Sequence, residues 1–219
     1  MYKEATFQTQ RTTRYFSRQT DPNLIENVWI LFHGYGQSAY HFLLNFEEFN
    51  PEKSLILAPE GLSKFYLKGF DGRVGASWMT KENREFEIQD QLHLVDNLLA
   101  EIDPNGTTKL NLLGFSQGAA VACRWYQYTS RKVENLVIWG AGLPIETDVN
   151  MAQKYNECNT TLVLGSEDEF IKQERLVQYY QTLADLEFRH NVITYEGGHK
   201  IEKEGLSTLQ NLLFNENSI

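Results

Sequence analysis

Gly114-Phe115-Ser116-Gln117-Gly118 sets a serine between two glycines in the pattern G-x-S-x-G. It closes an apolar run, KLNLLGF at 109–115, and opens QGAAVACRWYQY, a run with small residues in its first turn. A strand that enters a helix through so tight a turn pushes the serine hydroxyl into the open, and the helix N-terminus behind it favours developing negative charge. A serine hydroxyl alone is a poor nucleophile at neutral pH, so this chemistry requires a base and a group to orient the base. The five histidines are His33, His41, His93, His190 and His199. His41 and His93 fall within expected helices, and His190 precedes a strand rather than following one. His199 follows the strand-like NVITYEGG directly and precedes a helical run, so it emerges on the same rim as Ser116.

The acid is expected from TTLVLGSEDEF, which offers Glu167, Asp168 and Glu169 after a glycine turn. The chain order Ser116, Asp168, His199 matches the nucleophile, acid and base order that accompanies a strand–turn–helix elbow. Asp168 is therefore the expected partner of His199, with Glu167 its rival, because spacing does not separate the two. Attack by serine on a carbonyl also needs fixed donors aimed at the oxyanion, and backbone N–H groups serve without reorganising. His33-Gly34-Tyr35-Gly36-Gln37-Ser38 follows the apolar VWILF and supplies glycines where the backbone must turn inward. The Tyr35 N–H is expected to pair with that of Gln117, the residue after the nucleophile. His33 is expected to hold this loop by hydrogen bonds rather than to act as a base.

These residues need elements to carry them. Apolar runs at 28–33, 54–61, 109–115, 133–142, 160–166 and 191–198 read as strands, and amphipathic or small-residue runs between them read as helices near 84–103, 117–128, 172–187 and 203–214. Ser38 is placed to cap a further helix, YHFLLNFEEF. Strands apolar on both faces that alternate with helices predict a largely parallel sheet covered by helices. Ligands of such sheets sit beyond the carboxyl ends of the strands, and four exits carry a reactive residue: His33, Ser116, Asp168 and His199. Ala5, Phe7, Thr9 and Tyr15 suggest an N-terminal hairpin or edge strands. Residues 62–81, with three glycines among Phe65, Tyr66, Phe70 and Trp78, read as the least regular segment.

The chain has 219 residues, an extent expected to form a single domain over 1–219. Its formal charge of −9 argues against nucleic acid or an anionic membrane as a main partner. The longest apolar runs fall far short of the roughly 18 residues that span a bilayer, so no stable membrane insertion is expected. Two cysteines, Cys123 and Cys158, form no disulfide framework, and the N-terminus lacks the form of a signal peptide. A cytoplasmic protein, monomeric or homodimeric and without metal or cofactor, is the expectation.

HGYGQS, GFSQGAA, GAGLP at 140–144, GSEDEFI at 165–171 and GGHKI at 197–201 together resemble the phospholipase/carboxylesterase family of α/β-hydrolases, which includes acyl-protein thioesterases. The resemblance runs from about residue 28 to 214. It implies a minimal α/β-hydrolase fold without a large cap, a serine hydrolase of carboxylic esters, lysophospholipids or thioesters, and no metal. It implies Ser116, Asp168 and His199 as catalytic residues and Tyr35 and Gln117 as oxyanion donors. The loop at Leu143 resembles the one that borders the acyl pocket, and Trp78 resembles the tryptophan after a variable segment. Gln37 stands where many members carry Asp, and residues 62–81 are more aromatic than usual. Phe65, Tyr66, Phe70 and Trp78 are accordingly expected to line an apolar cleft at the site mouth. The readings weighed against an esterase are a thioesterase, lysophospholipase or peptidase on the same fold, and a non-catalytic hydrolase-like binding protein.

Overall fold

Seven strands hydrogen-bond into one sheet in a computed structural model that describes residues 1–21, 24–171 and 173–214. In chain order they are β1 (Tyr15–Gln19), β2 (Asn27–Phe32), β3 (Ser54–Pro59), β6 (Lys109–Phe115), β7 (Val133–Trp139), β8 (Asn159–Gly165) and β9 (Asn191–Tyr195). The numbers β4 (Ser63–Lys68) and β5 (Asp71–Ser77) belong to a separate antiparallel pair. The spatial order is β1-β3-β2-β6-β7-β8-β9, with β1 antiparallel to β3 and the other neighbours parallel. The helices are α1 (Ala39–Leu44), α2 (Arg84–Ile102), α3 (Gln117–Tyr128), α4 (Val149–Tyr155), α5 (Gln173–Asp185) and α6 (Lys203–Phe214).

Alternation along the strands divides the core in two. Val28, Ile30, Phe32, Leu110, Leu112, Leu136, Ile138 and Leu162 face one side, where α2, α3, α4 and α5 cover them with Val95, Leu99, Ala122, Trp125, Tyr155 and Leu183. Trp29, Leu31, Leu113, Phe115, Val137, Trp139 and Val163 face the other, under Phe42 and Leu43 of α1 and Leu206 and Leu209 of α6. Burying a side chain of this size on either face contributes roughly 1.5–3 kcal/mol, so the sheet is a rigid platform. Its carboxyl edge is where the four chemically interesting exits meet.

Three expectations are corrected. Ala5, Phe7 and Thr9 carry no regular structure and are exposed, and the N-terminal hairpin reduces to the single edge strand β1. Residues 62–81 hold a β-hairpin rather than an irregular segment: Gly69 and Gly72 take positive φ at its turn, and half-buried Phe65 stands between exposed Lys64 and Tyr66. Ser38 occupies the N-cap position of α1, but its side chain makes no capping bond. The short helix α4, capped by Asp148 through a 2.8 Å bond from the Met151 N–H, had no counterpart in the sequence pattern. The expected start of α5 at 172 lies outside the described residues.

Candidate active site

Ser116 sits between β6 and α3 with φ 55° and ψ −118°, a conformation that non-glycine residues adopt only under constraint. Its glycine neighbours explain how the chain tolerates this. A Cβ on Gly114 would lie 2.3 Å from the Ala119 Cα, and one on Gly118 would lie 2.1 Å from the Phe32 carbonyl oxygen. Both positions therefore require glycine for α3 to start so close to the sheet. The Ser116 N–H donates to the Trp139 carbonyl at 2.9 Å, fixing the turn against β7.

His199, between β9 and α6, brings Nε2 to 2.9 Å from Ser116 Oγ and Nδ1 to 2.7 Å from Asp168 Oδ2. The Asp168 carboxylate is buried, and its Oδ1 accepts the Phe170 N–H at 2.9 Å. That arrangement can orient an imidazole, remove the serine proton and balance the imidazolium that results. Glu167 is exposed instead, with its N–H donated to the Gly197 carbonyl at 2.9 Å. The imidazole lies between two rings, Phe115 at 4.8 Å and Phe170 at 4.6 Å between centroids. Gly140, at the exit of β7 with φ +60°, leaves room for it: a Cβ there would lie 3.2 Å from the His199 ring.

The second wall is the loop after β2. Buried His33 accepts the Gly61 N–H on Nε2 at 3.0 Å and meets the Gly34 carbonyl with Nδ1 at 2.8 Å, which defines a neutral imidazole with its proton on Nδ1. Burial holds its pKa below the ordinary histidine value, against smaller opposing effects of the Gly34 carbonyl and Glu60. The Gln37 side chain accepts the Gly34 N–H at 2.7 Å, so Gln37 performs with a carboxamide oxygen what a carboxylate could do there. The Gly36 and Gln37 N–H groups donate to the Ala76 and Gly34 carbonyls. Among the described residues, that leaves the Tyr35 N–H without a partner, and the Gln117 N–H, first in its helix, likewise.

A cleft of about 470 Å³ opens beside Ser116, walled by Tyr35, Phe115, Gly140, Ala141, Phe170 and His199. None of the five expected pocket residues lines it. Trp78 is 1% exposed, its ring packed on Phe32 and His33 and its indole N–H bonded to the His33 carbonyl at 2.8 Å. Its expected place in the pocket is thereby corrected to a place in the core. Phe70 projects from the hairpin turn at 97% exposure, Tyr66 is exposed on the hairpin, and Phe65 packs on the Tyr35 ring at 5.2 Å. Leu143 packs against the core, and its N–H donates to the Tyr179 hydroxyl at 3.0 Å. The aromatic walls are instead Tyr35, Phe115, read from sequence as strand core, and Phe170, an apolar residue in an otherwise acidic loop.

A larger cavity of about 840 Å³ lies at the opposite end of the sheet, near the starts of β6 and β7. There Asp103 joins Thr107, Thr108 and Arg131; burial raises its pKa, but these bonds outweigh it and hold the carboxyl down to about 2. This is a structural tie. Among the described residues, no group of three or more His, Cys, Asp or Glu could hold a metal ion, and no helix is long and apolar enough to cross a membrane.

A mostly parallel sheet of this strand order, flanked by helices and with a strand–turn–helix serine at its carboxyl edge, has the fold of an α/β-hydrolase. The chain belongs to the phospholipase/carboxylesterase family, whose model matches residues 20–215. Membership identifies it as an ester-hydrolysing type of enzyme. The structure is similar to acyl-protein thioesterase 2 of Zea mays, with TM-score 0.70, 18% identity and coverage of 92% of this chain and 98% of that one. It is similar to a carboxylesterase of Mesorhizobium loti, with TM-score 0.70, 14% identity and coverage of 92% and 94%. A Bacillus cereus carboxylesterase aligns with TM-score 0.64 and 13% identity over 91% and 92% of the two chains. A search of curated proteins by sequence finds no match.

Proposed function

We propose that the chain is a single-domain serine carboxylesterase working through a covalent acyl-enzyme. The observation that carries the reading is the continuous pair of bonds from Ser116 Oγ through His199 to Asp168, at 2.9 and 2.7 Å. His199 removes the Ser116 proton as Oγ attacks the ester carbonyl, and buried Asp168 holds the Nδ1–H tautomer and balances the imidazolium. The unpartnered Tyr35 and Gln117 N–H groups receive the oxyanion. His199 then gives its proton to the departing alcohol, and the same base activates the water that releases the acid. Each oxyanion donor contributes about 3 kcal/mol to such a step.

The cleft holds about 470 Å³ and is walled in part by Phe115 and Phe170, which favours a small or medium acyl ester. The thioesterase and lysophospholipase readings share this chemistry and differ only in the leaving group. Wild-type protein should label with a fluorophosphonate and hydrolyse p-nitrophenyl esters. Ser116→Ala should abolish labelling and lower kcat on the order of 10⁶-fold. A folded wild type that neither labels nor hydrolyses any ester or thioester of a graded panel defeats the proposal. A longest-chain optimum in that panel moves the assignment to lipid or thioester substrates.

A further inference from the structure

The two proposed oxyanion donors stand on different elements, Tyr35 after β2 and Gln117 at the start of α3, so something must fix the distance between them. Both are bonded to the end of β5 and the two residues beyond it. On the Tyr35 side, the Gly36 N–H donates to the Ala76 carbonyl at 2.8 Å and the Ala76 N–H to the Gln37 carbonyl at 3.0 Å. On the other side, the Gln117 side chain reaches the same segment. Its Oε1 accepts the Trp78 N–H at 3.0 Å and the Ser77 hydroxyl at 3.3 Å, while its Nε2 donates to the Met79 carbonyl at 2.7 Å. Reversing the amide would set oxygen against the Met79 carbonyl and nitrogen against the Trp78 N–H, so the orientation is unambiguous.

The segment can bear load. Trp78 is anchored by its indole bond to the His33 carbonyl, and Gln91 Nε2 donates to the Trp78 carbonyl. We propose that the Gln117 carboxamide is a positioning residue: it makes residues 76–79 a splint that sets the separation of the Tyr35 and Gln117 N–H groups. The side chain is committed to that splint and does not touch the reacting atoms. The turn itself is held independently by the Ser116 N–H bond to Trp139 and by the packing of Gly118 on Phe32. Loss of the carboxamide therefore leaves the fold in place while the donors drift. The inference rests on the serine esterase reading and deepens it, because it assigns the side chain of a residue whose main chain is the proposed donor.

The test compares wild type, Gln117→Met, Gln117→Glu and Ser116→Ala with p-nitrophenyl acetate and with a trifluoromethyl ketone that forms a tetrahedral oxyanion adduct. Gln117→Met keeps length and main-chain N–H but makes no bond to 77–79. A displacement near 1 Å at a reacting centre lowers rate about 10²-fold, so kcat should fall by that factor with KM in place. Affinity for the ketone should fall in parallel. Gln117→Glu keeps the acceptor for Trp78 but faces the Met79 carbonyl with a carboxylate. Its activity relative to wild type should recover as pH drops toward 5 and a protonated carboxyl can donate again. Folded Gln117 variants with wild-type kcat and ketone affinity overturn the inference, while an inactive Ser116→Ala keeps the esterase reading. If Gln117→Met does not fold, the relative pH recovery of Gln117→Glu decides: a flat ratio overturns the proposal. Full activity in Ser116→Ala overturns both.

Discussion

A Cβ on Gly75 would stand 2.2 Å from the carbonyl oxygen of Gly36, so the second hairpin strand and the loop after β2 meet backbone to backbone. No side chain fits between them, and the adjoining Gly36–Ala76 bond depends on that approach. Gly75→Ala must push the loop away and carry the Tyr35 N–H with it. Its kcat should fall about 10²-fold, measured with a p-nitrophenyl ester on folded protein. Gly69→Ala is the control, since Gly69 has positive φ but open space around it. It should cost about 1 kcal/mol of stability through backbone strain alone and leave kcat in place. Equal kcat in both variants would show that the loop does not depend on the hairpin.

Phe170 has a main chain and a ring with separate duties. Its N–H holds Asp168 Oδ1, whereas its ring, 71% exposed, covers the His199 imidazole opposite Phe115. Phe170→Ala keeps the first contact and removes the second. Aromatic contacts of this kind contribute about 0.5–1.5 kcal/mol, so kcat should drop by up to about tenfold. Because the ring also walls the cleft, the variant should accept bulkier esters better than wild type. A substrate profile parallel to wild type across a graded ester panel would remove Phe170 from the specificity wall.

The candidate triad was legible because each member stands at a strand exit beside glycine, where residue type, order and local pattern agree. Ser116 and His199 need no knowledge of long-range packing to be singled out, whereas Asp168 is separated from its rival Glu167 by burial and by its bond to His199 Nδ1. The cleft walls do need it. Phe115 ends a strand, so its ring belongs to the core and still borders the cleft, a double role that alternation cannot express. Residues 62–81 read as irregular because glycines 69, 72 and 75 break up the pattern in which Phe65 and Leu67 share one strand face. Those two side chains cover Tyr35 and Gly36 rather than the main sheet. Trp78 differs for the opposite reason: it follows an exposed hairpin, yet its ring packing on Phe32 and His33 and its bond to the His33 carbonyl place it in the core.

His33 supplies the pH dependence. Its Nε2 must stay unprotonated to accept the Gly61 N–H, and burial depresses its pKa below the ordinary value of 6.5. The unfolded chain therefore binds this proton more readily than the folded one. The neutral histidine contributes fully above about pH 6.5, and its contribution is lost as pH falls through the depressed folded value. His33→Gln should be less stable than wild type at pH 8, by about 1–3 kcal/mol for the disturbed buried bonds. The difference between the two should narrow on acidification below 6.5, as followed by denaturant unfolding at each pH. A constant difference from pH 8 to pH 5 would mean that His33 is not the group responsible.

The strained turn at Ser116 predicts a trade between stability and activity. With φ 55° and ψ −118°, the residue occupies backbone space that glycine enters freely and a Cβ does not. Such conformations cost about 1–3 kcal/mol each, and the fold supports this one through the Trp139 bond and the two glycine contacts. Ser116→Ala retains the Cβ and hence the strain, whereas Ser116→Gly removes it at the expense of a more flexible unfolded chain, worth about 0.4–1 kcal/mol in the other direction. Both should be inactive, yet the glycine variant should unfold at higher denaturant than the alanine variant, by about 1 kcal/mol after that offset. If alanine proves the more stable of the two, the turn is relaxed, and the exposure of the serine hydroxyl owes nothing to stored backbone strain.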